Sequence, residues 1–275
     1  MLTLDVLVAL TVNTKLSIAL VTGASSGIGE ELARCFARAG HDLVLVARSA
    51  DKLQTLAREL QAQHPIKALV LAIDLADPES PARLAARLKR RQRVPDILVN
   101  CAGVLAQGPF TGMKPDGHQA IIDLNISALT GMLSHFLPLM TARRSGRVLN
   151  VASIAAFQPV PMLATYAASK AYVLSLTESL SQELKGSGVS VTALCPGITA
   201  TQMLSSATQA NQQLSALPDF LIGNVEEVAR QGFEACMRGD VICVPGVFNR
   251  AAMIASRSTP KWLLRQVSGL LSRKL

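Results

Sequence analysis

Tyr166 and Lys170, in the segment Tyr166-Ala-Ala-Ser-Lys170, are the residues whose types and spacing most plainly fit a chemical task. Four positions apart on a helix, they share one face and stand one turn above each other. An ammonium beside a phenol favours phenolate, so the pair is expected to lower the Tyr166 pKa from its usual value of about 10. A phenol that gives and takes a proton near neutral pH suits the interconversion of a carbonyl and an alcohol. Ser153 lies thirteen residues before Tyr166 and closes an apolar segment that begins at Gly146. That segment reads as a buried strand, and open α/β sheets bind ligands where their strands end. The serine, tyrosine and lysine are expected to meet there on one substrate oxygen. A tyrosine and a lysine at this spacing recur by accident, so the elements around them decide the matter.

Those elements alternate from end to end. Strand-like apolar runs occupy 17–22, 43–47, 68–73, 96–100, 147–152, 189–195 and 241–244. Helical spacing covers 28–39, 51–63, a segment opening at Asp77-Pro78, 117–143, 164–186 and 225–238. Strands apolar on both faces, separated by helices, imply a parallel sheet covered on both sides. The expected fold is a single-domain, doubly wound Rossmann-type α/β domain over 17–247, with about seven strands. An N-terminal extension, 1–16, precedes it and an amphipathic tail, 248–275, follows.

The first strand runs into Thr22-Gly-Ala-Ser-Ser-Gly-Ile-Gly29 and then directly into a helix. Glycines allow a tight turn and close backbone approach, and a helix N-terminus offers free N–H groups to a pyrophosphate. Gly23, Ser25, Ser26, Gly27, Ile28 and Gly29 are therefore candidate cofactor residues. The second strand ends at Ala47-Arg48-Ser49 rather than at an acid. A carboxylate there would bind the ribose hydroxyl of NAD, whereas an arginine fork suits a 2′-phosphate. The cofactor is accordingly expected to be NADP(H) in preference to NAD(H).

With these motifs in order, the chain resembles the single-domain short-chain dehydrogenases/reductases from about Ser17 to Val247. The matching pieces are the glycine loop, Asp74-Leu75, Asn100-Cys-Ala-Gly103, Asn125, Ser153, Tyr166 with Lys170, and Pro196-Gly197. The resemblance implies that Asp74 binds the adenine amino group, with Leu75 adding a backbone contact. Asn100, Ala102 and Gly103 would line the adenosine-ribose side. Tyr166 would be the general acid/base, and Ser153 would hold the substrate oxygen. Lys170 would tune Tyr166 and bind the nicotinamide ribose, while Asn125 would anchor a proton-relaying water. Pro196, Gly197, the Thr199 backbone and the Thr201 hydroxyl would meet the carboxamide. Two departures from the family pattern, Cys101 and Thr199, leave these implied roles intact. The implied activity is hydride transfer between NADP(H) and a carbonyl/alcohol pair. A silent NADP(H)-binding scaffold or redox sensor is the rival reading; it calls for loss of Ser153, Tyr166 or Lys170, and all three are present.

Substrate contacts are expected from Val104, Phe110, Ile154, Ala155, Phe157, Pro159, Met162, Leu163, Met203 and Leu204, a mostly apolar set that favours a hydrophobic ketone, aldehyde or alcohol. Residues 198–224 read as a lid over the site. Hydrophobic residues make up 49% of the chain and charged ones 17%, which excludes general disorder and favours a homodimer or homotetramer. The net charge of +8 comes without any nucleic-acid-binding pattern, so solvated helix faces account for it. Five scattered cysteines indicate reduced thiols, no metal site and a cytoplasmic protein. The four histidines, at 41, 64, 118 and 135, read as ordinary surface or core residues. The apolar, uncharged stretch from Asn125 to Ala142 reads as a buried or interface helix rather than a membrane span. From Lys261 onward the tail carries leucines at helical spacing with cations between them. Packing against protein is the preferred reading, and peripheral contact with an acidic membrane is the alternative.

Overall fold

Short apolar runs form the strands of the computed structural model, which describes residues 17–199 and 223–258. The chain passes through β1 (Ile18–Thr22), α1 (Gly27–Arg38), β2 (Asp42–Ala47), α2 (Ala50–Gln63), β3 (Ala68–Ala72), α3 (Ser80–Arg90) and β4 (Ile97–Asn100). It continues through α4 (Pro115–Ile122), α5 (Leu129–Ala142), β5 (Gly146–Val151), α6 (Ala164–Glu183) and β6 (Val189–Leu194). The last described elements are α7 (Val225–Arg238), β7 (Ile242–Cys243) and α8 (Val247–Ser258). All seven strands among the described residues are parallel, in the order β3-β2-β1-β4-β5-β6-β7.

Alternation along each strand divides the core into two halves. In β1, Ile18 and Leu20 face one side, with Leu84 and Leu88 of α3, Phe136 of α5 and Val173 of α6. Ala19 and Val21 face the other, with Leu32 and Phe36 of α1, Leu53 and Leu60 of α2, and Ala229 of α7. Strands buried on both faces need helices on both, and the helical crossovers supply them. The chain leaves β1 toward β2 on one side and returns to β4 on the other. The strand order therefore reverses between β1 and β4, and a crevice opens at their carboxyl ends.

The expected helix over 117–143 begins at Pro115 and contains a wider π turn, Asp123–Ala128, between α4 and α5. Pro115–Ala142 is also long and apolar enough to cross a membrane by length and composition. Its apolar character has a use in the fold, since Met132, Leu133, Phe136 and Met140 are buried against the sheet. The last strand is shorter than expected, Ile242–Cys243, because the backbone turns away at Val244-Pro245. Helix α8 starts where a tail was expected, and exposes Val247 and Ile254. The extension 1–16, residues 200–222 of the expected lid with Thr201, Met203 and Leu204, and residues 259–275 of the expected tail lie outside the described residues.

Candidate active site

At the crevice, backbone contact fixes the glycine loop. A Cβ on Gly29 would stand 2.3 Å from the Gly23 carbonyl oxygen, so only a bare α-carbon fits there. Gly23 itself has φ +68°, and a Cβ on it would come within 3.0 Å of the Ala102 backbone. The loop after β1 thus lies against the segment after β4. Thr22 ties the two together: its hydroxyl donates to Val99 O at 3.1 Å and accepts from the N–H groups of Cys101 (2.9 Å) and Ala102 (3.0 Å). Ser26 precedes the first turn of α1 in extended backbone, and its side chain makes no cap bond. The first-turn N–H groups, with the positive end of the helix dipole, are left for an anion.

The remaining candidate cofactor residues sit at successive strand ends. Arg48 and Ser49 are exposed after β2. Asp74 is exposed beyond β3, with one carboxylate oxygen accepting from Ala76 N at 3.0 Å, and Leu75 is buried behind it. Asn100 ends β4, turns its Nδ2 inward to Asn150 Oδ1 at 2.9 Å, and leaves its own buried Oδ1 without a partner. An orphaned buried acceptor beside the glycine loop fits a ligand that brings a donor. Asn150 in turn donates to Thr177 Oγ1 at 2.9 Å, so the ends of β4 and β5 are pinned to α6. Pro196 and Thr199 are buried after β6, and Gly197 lies so close to Asn249 of α8 that a Cβ would meet its amide at 2.5 Å.

Tyr166 and Lys170 occupy one face of α6, with Lys170 Nζ 5.7 Å from the ring centroid. Lys170 is 7% exposed and donates to the Val151 carbonyl at 2.9 Å. Ser153 follows β5, accepts from Ala155 N at 3.1 Å, and stands close enough to the Tyr166 phenol to oppose part of its pKa rise. Asn125 lies inside the π turn. Its side chain pairs with the Val104 backbone as a strand would: Oδ1 accepts from Val104 N at 2.9 Å and Nδ2 donates to Val104 O at 3.0 Å. The same Nδ2 reaches Ser169 Oγ at 3.1 Å, and Ser169 donates to Tyr166 O at 2.7 Å. Asn125, Ser153, Tyr166 and Lys170 therefore belong to one connected cluster at the carboxyl end of the sheet.

Its electrostatics correct one expectation. The Tyr166 pKa lies above the ordinary phenol value, not below it. Burial is the largest cause because it penalises phenolate; the Ser153 side chain opposes it and the nearby Cys101 thiol adds to it. Burial also pushes the Lys170 ammonium down to about 8 and the Cys101 thiol up to about 12. Helical adjacency alone does not override desolvation when the lysine's proton is directed at a backbone carbonyl.

The substrate candidates separate. Val104 is held by Asn125, and Met162 stands in a turn at φ +69° with its carbonyl accepting from Gly108 N at 2.9 Å. Leu163 precedes α6, and Ala155 is half-buried beside Ser153. Ile154 packs against the core, which leaves it less surface for a ligand. A cavity of about 740 Å³ opens elsewhere, at the amino ends of the strands beside Arg144, Arg147 and Lys185. None of the described candidate residues lines it. A second, of about 570 Å³, touches Asp74 and runs along Arg83, Arg87 and Arg90 of α3. Sequence reading missed the tasks of Thr22, Ser169 and His118, whose side chains tie segments far apart in the chain; only the position of Thr22 before the glycine loop gave any signal.

Known proteins share this fold. A family model for short chain dehydrogenases matches residues 17–212. The chain belongs to the short-chain dehydrogenase family. This short-chain dehydrogenase is 40% identical over 198 residues to the oxidoreductase UcpA of Escherichia coli (strain K12), covering 71% of this chain and 74% of that one. Among solved structures, a short-chain dehydrogenase from Sphingobium yanoikuyae in complex with NADPH is 33% identical, with a TM-score of 0.79 over 94% of this chain and 95% of that one. A bulky-bulky ketone specific alcohol dehydrogenase from Comamonas testosteroni is 27% identical, with a TM-score of 0.75 over 90% and 96%. The protein is an oxidoreductase that acts on a CH–OH/C=O pair.

Proposed function

We propose that this short-chain dehydrogenase reduces a hydrophobic ketone or aldehyde, or oxidises the matching alcohol, with NADP(H). The observation that carries the reading is the buried Lys170 ammonium 5.7 Å from the Tyr166 ring centroid, with Ser153 beside the phenol, at the carboxyl end of a parallel sheet. When bound, the dihydronicotinamide supplies a hydride to the carbonyl carbon. The Ser153 hydroxyl holds the carbonyl oxygen, and Tyr166 protonates that oxygen as negative charge develops on it. Lys170 then stabilises the phenolate left behind. A phenol with a raised pKa is fully protonated at neutral pH, which suits the donor role in reduction; alcohol oxidation needs phenolate first and gains as pH rises.

The preference for NADP(H) is supported by Arg48 and Ser49 at the end of β2 and by the NADPH complex of the Sphingobium relative. Gly23 to Gly29 and the free end of α1 would hold the pyrophosphate, and Asp74 with Leu75 the adenine. Asn100, Ala102 and Gly103 would line the adenosine ribose, Lys170 would meet the nicotinamide ribose, and Pro196, Gly197 and Thr199 the carboxamide. A hydrophobic substrate is supported by the apolar types at Val104, Met162 and Leu163 and by the bulky-ketone enzyme among the solved relatives. The test is a panel of ketones and aldehydes, read by loss of NADPH absorbance. NADPH oxidation with apolar carbonyls, and a clearly lower KM for NADPH than for NADH, are expected. No turnover across the panel by protein that binds NADPH would defeat the enzymatic reading; a preference for NADH would defeat the cofactor assignment alone.

A further inference from the structure

We propose that Phe110 forms an aromatic wall of the substrate cleft, selecting substrates with a flat apolar group beyond the carbonyl, and that His118 is the residue that positions it. The inference rests on the carbonyl-reducing reading above. Phe110 opens one 3-10 turn, Phe110–Gly112, in the connection between β4 and α4. Phe110 is 63% exposed, more than any other large apolar residue in 17–199. An exposed phenyl on a connecting segment ordinarily swings among rotamers; this one has a ring against it and its backbone held nearby.

The His118 ring, on α4, lies against the phenyl with centroids 4.3 Å apart and a tilt of 33°. His118 Nε2 is 3.2 Å from the Phe110 carbonyl oxygen. A carbonyl can only accept, so Nε2 carries the hydrogen, and in the neutral ring Nδ1 is the acceptor. Nδ1 lies 2.7 Å from Thr165 Oγ1 and takes the threonine hydroxyl proton. Thr165 directly precedes Tyr166. Two residues before Phe110, the N–H of Gly108 donates to the carbonyl of Met162, whose φ of +69° is unfavourable for a residue with a side chain. The segment bearing Phe110 is therefore fastened at two points, Met162 and Thr165, to the stretch that delivers Tyr166.

Two consequences follow for binding. The segment bearing Phe110 is fastened to the stretch preceding Tyr166 before a substrate arrives, so little ordering cost falls on the complex. Its exposed face offers stacking or edge contact to another flat apolar group, an interaction that a small aliphatic ketone is too short to use. The selected class is thus aryl or comparably flat ketones and aldehydes rather than short-chain ones.

The test uses the full chain saturated with NADP⁺, and equilibrium dialysis of acetylnaphthalene and butanone with wild type, Phe110→Ala and His118→Ala. Steady-state kcat and KM for both ketones are measured alongside. Phe110→Ala is expected to raise the acetylnaphthalene-to-butanone Kd ratio about three- to tenfold, the range of one aromatic contact. His118→Ala should shift the ratio the same way by a smaller factor, as a change in KM rather than in kcat, while His118→Phe, which keeps the ring contact, recovers part of it. An unchanged ratio, equal weakening of both ketones, or no measurable acetylnaphthalene binding by wild type overturns the proposal. Dialysis needs no turnover: a shifted ratio in protein that oxidises no NADPH would uphold the aromatic wall and defeat the reductase reading instead.

Discussion

Replacing Lys170 by methionine should make the protein more stable and far less active. Burial moves the lysine from 10.5 to about 8, so at about pH 7 the folded state carries a charge it binds less well than the unfolded chain does. That difference amounts to about 3 kcal/mol against the wild type. The sign is fixed by proton counts. Between about pH 8 and 10.5 the unfolded chain holds more protons at this residue, so wild-type stability rises with pH through that window. Methionine fills similar space, carries no charge and does not titrate. It also forfeits the bond to Val151 O, a loss of about 1–2 kcal/mol that does not vary with pH. The variant should therefore be more stable than wild type by about 1–2 kcal/mol near neutrality and less stable by a similar amount above pH 10.5. Urea unfolding of both proteins across this range, followed by circular dichroism, measures the difference directly. Parallel stability curves would refute the desolvation argument. NADPH-dependent turnover by the same variant should fall at least about a hundredfold.

Three further outcomes are expected. Arg48→Ala should raise the KM for NADPH about ten- to hundredfold, the range for lost charge-assisted hydrogen bonds, and narrow the preference over NADH; steady-state kinetics with both coenzymes checks it. Gly29→Ala places a methyl group 2.3 Å from the Gly23 carbonyl oxygen, so NADPH binding measured by calorimetry should be lost while the far-ultraviolet spectrum stays helical. The reductive kcat/KM should decline as pH rises through about 8, where Lys170 loses its charge, and a profile flat to pH 10 would contradict that role.

The fold was legible because most strands are apolar on both faces and α1, α3 and α7 each carry one apolar stripe; the glycine loop and Ser153 then located the strand ends. Other features left no trace in sequence. The π turn at Asp123–Ala128 inserts a residue into a helix whose spacing reads as continuous, and it is the pairing of Asn125 with Val104, far away in sequence, that gives the turn its purpose. Helical spacing put Lys170 beside Tyr166, which is right, but it carries no information about burial, and burial decides the direction of the phenol's shift. His118 read as ordinary because neither Phe110 nor Thr165 stands at a recognisable spacing from it. β7 fell short of its apolar run because pairing with β6 stops at Cys243.

The account turns on Tyr166 as the proton donor, and the most direct measurement is single-turnover NADPH oxidation by Tyr166→Phe with a ketone that wild type reduces. Phenylalanine keeps the ring beside Lys170 and removes only the hydroxyl next to Ser153. A fall in rate of at least about a hundredfold, with NADPH affinity within about twofold of wild type, is the predicted result. A rate close to wild type would contradict it.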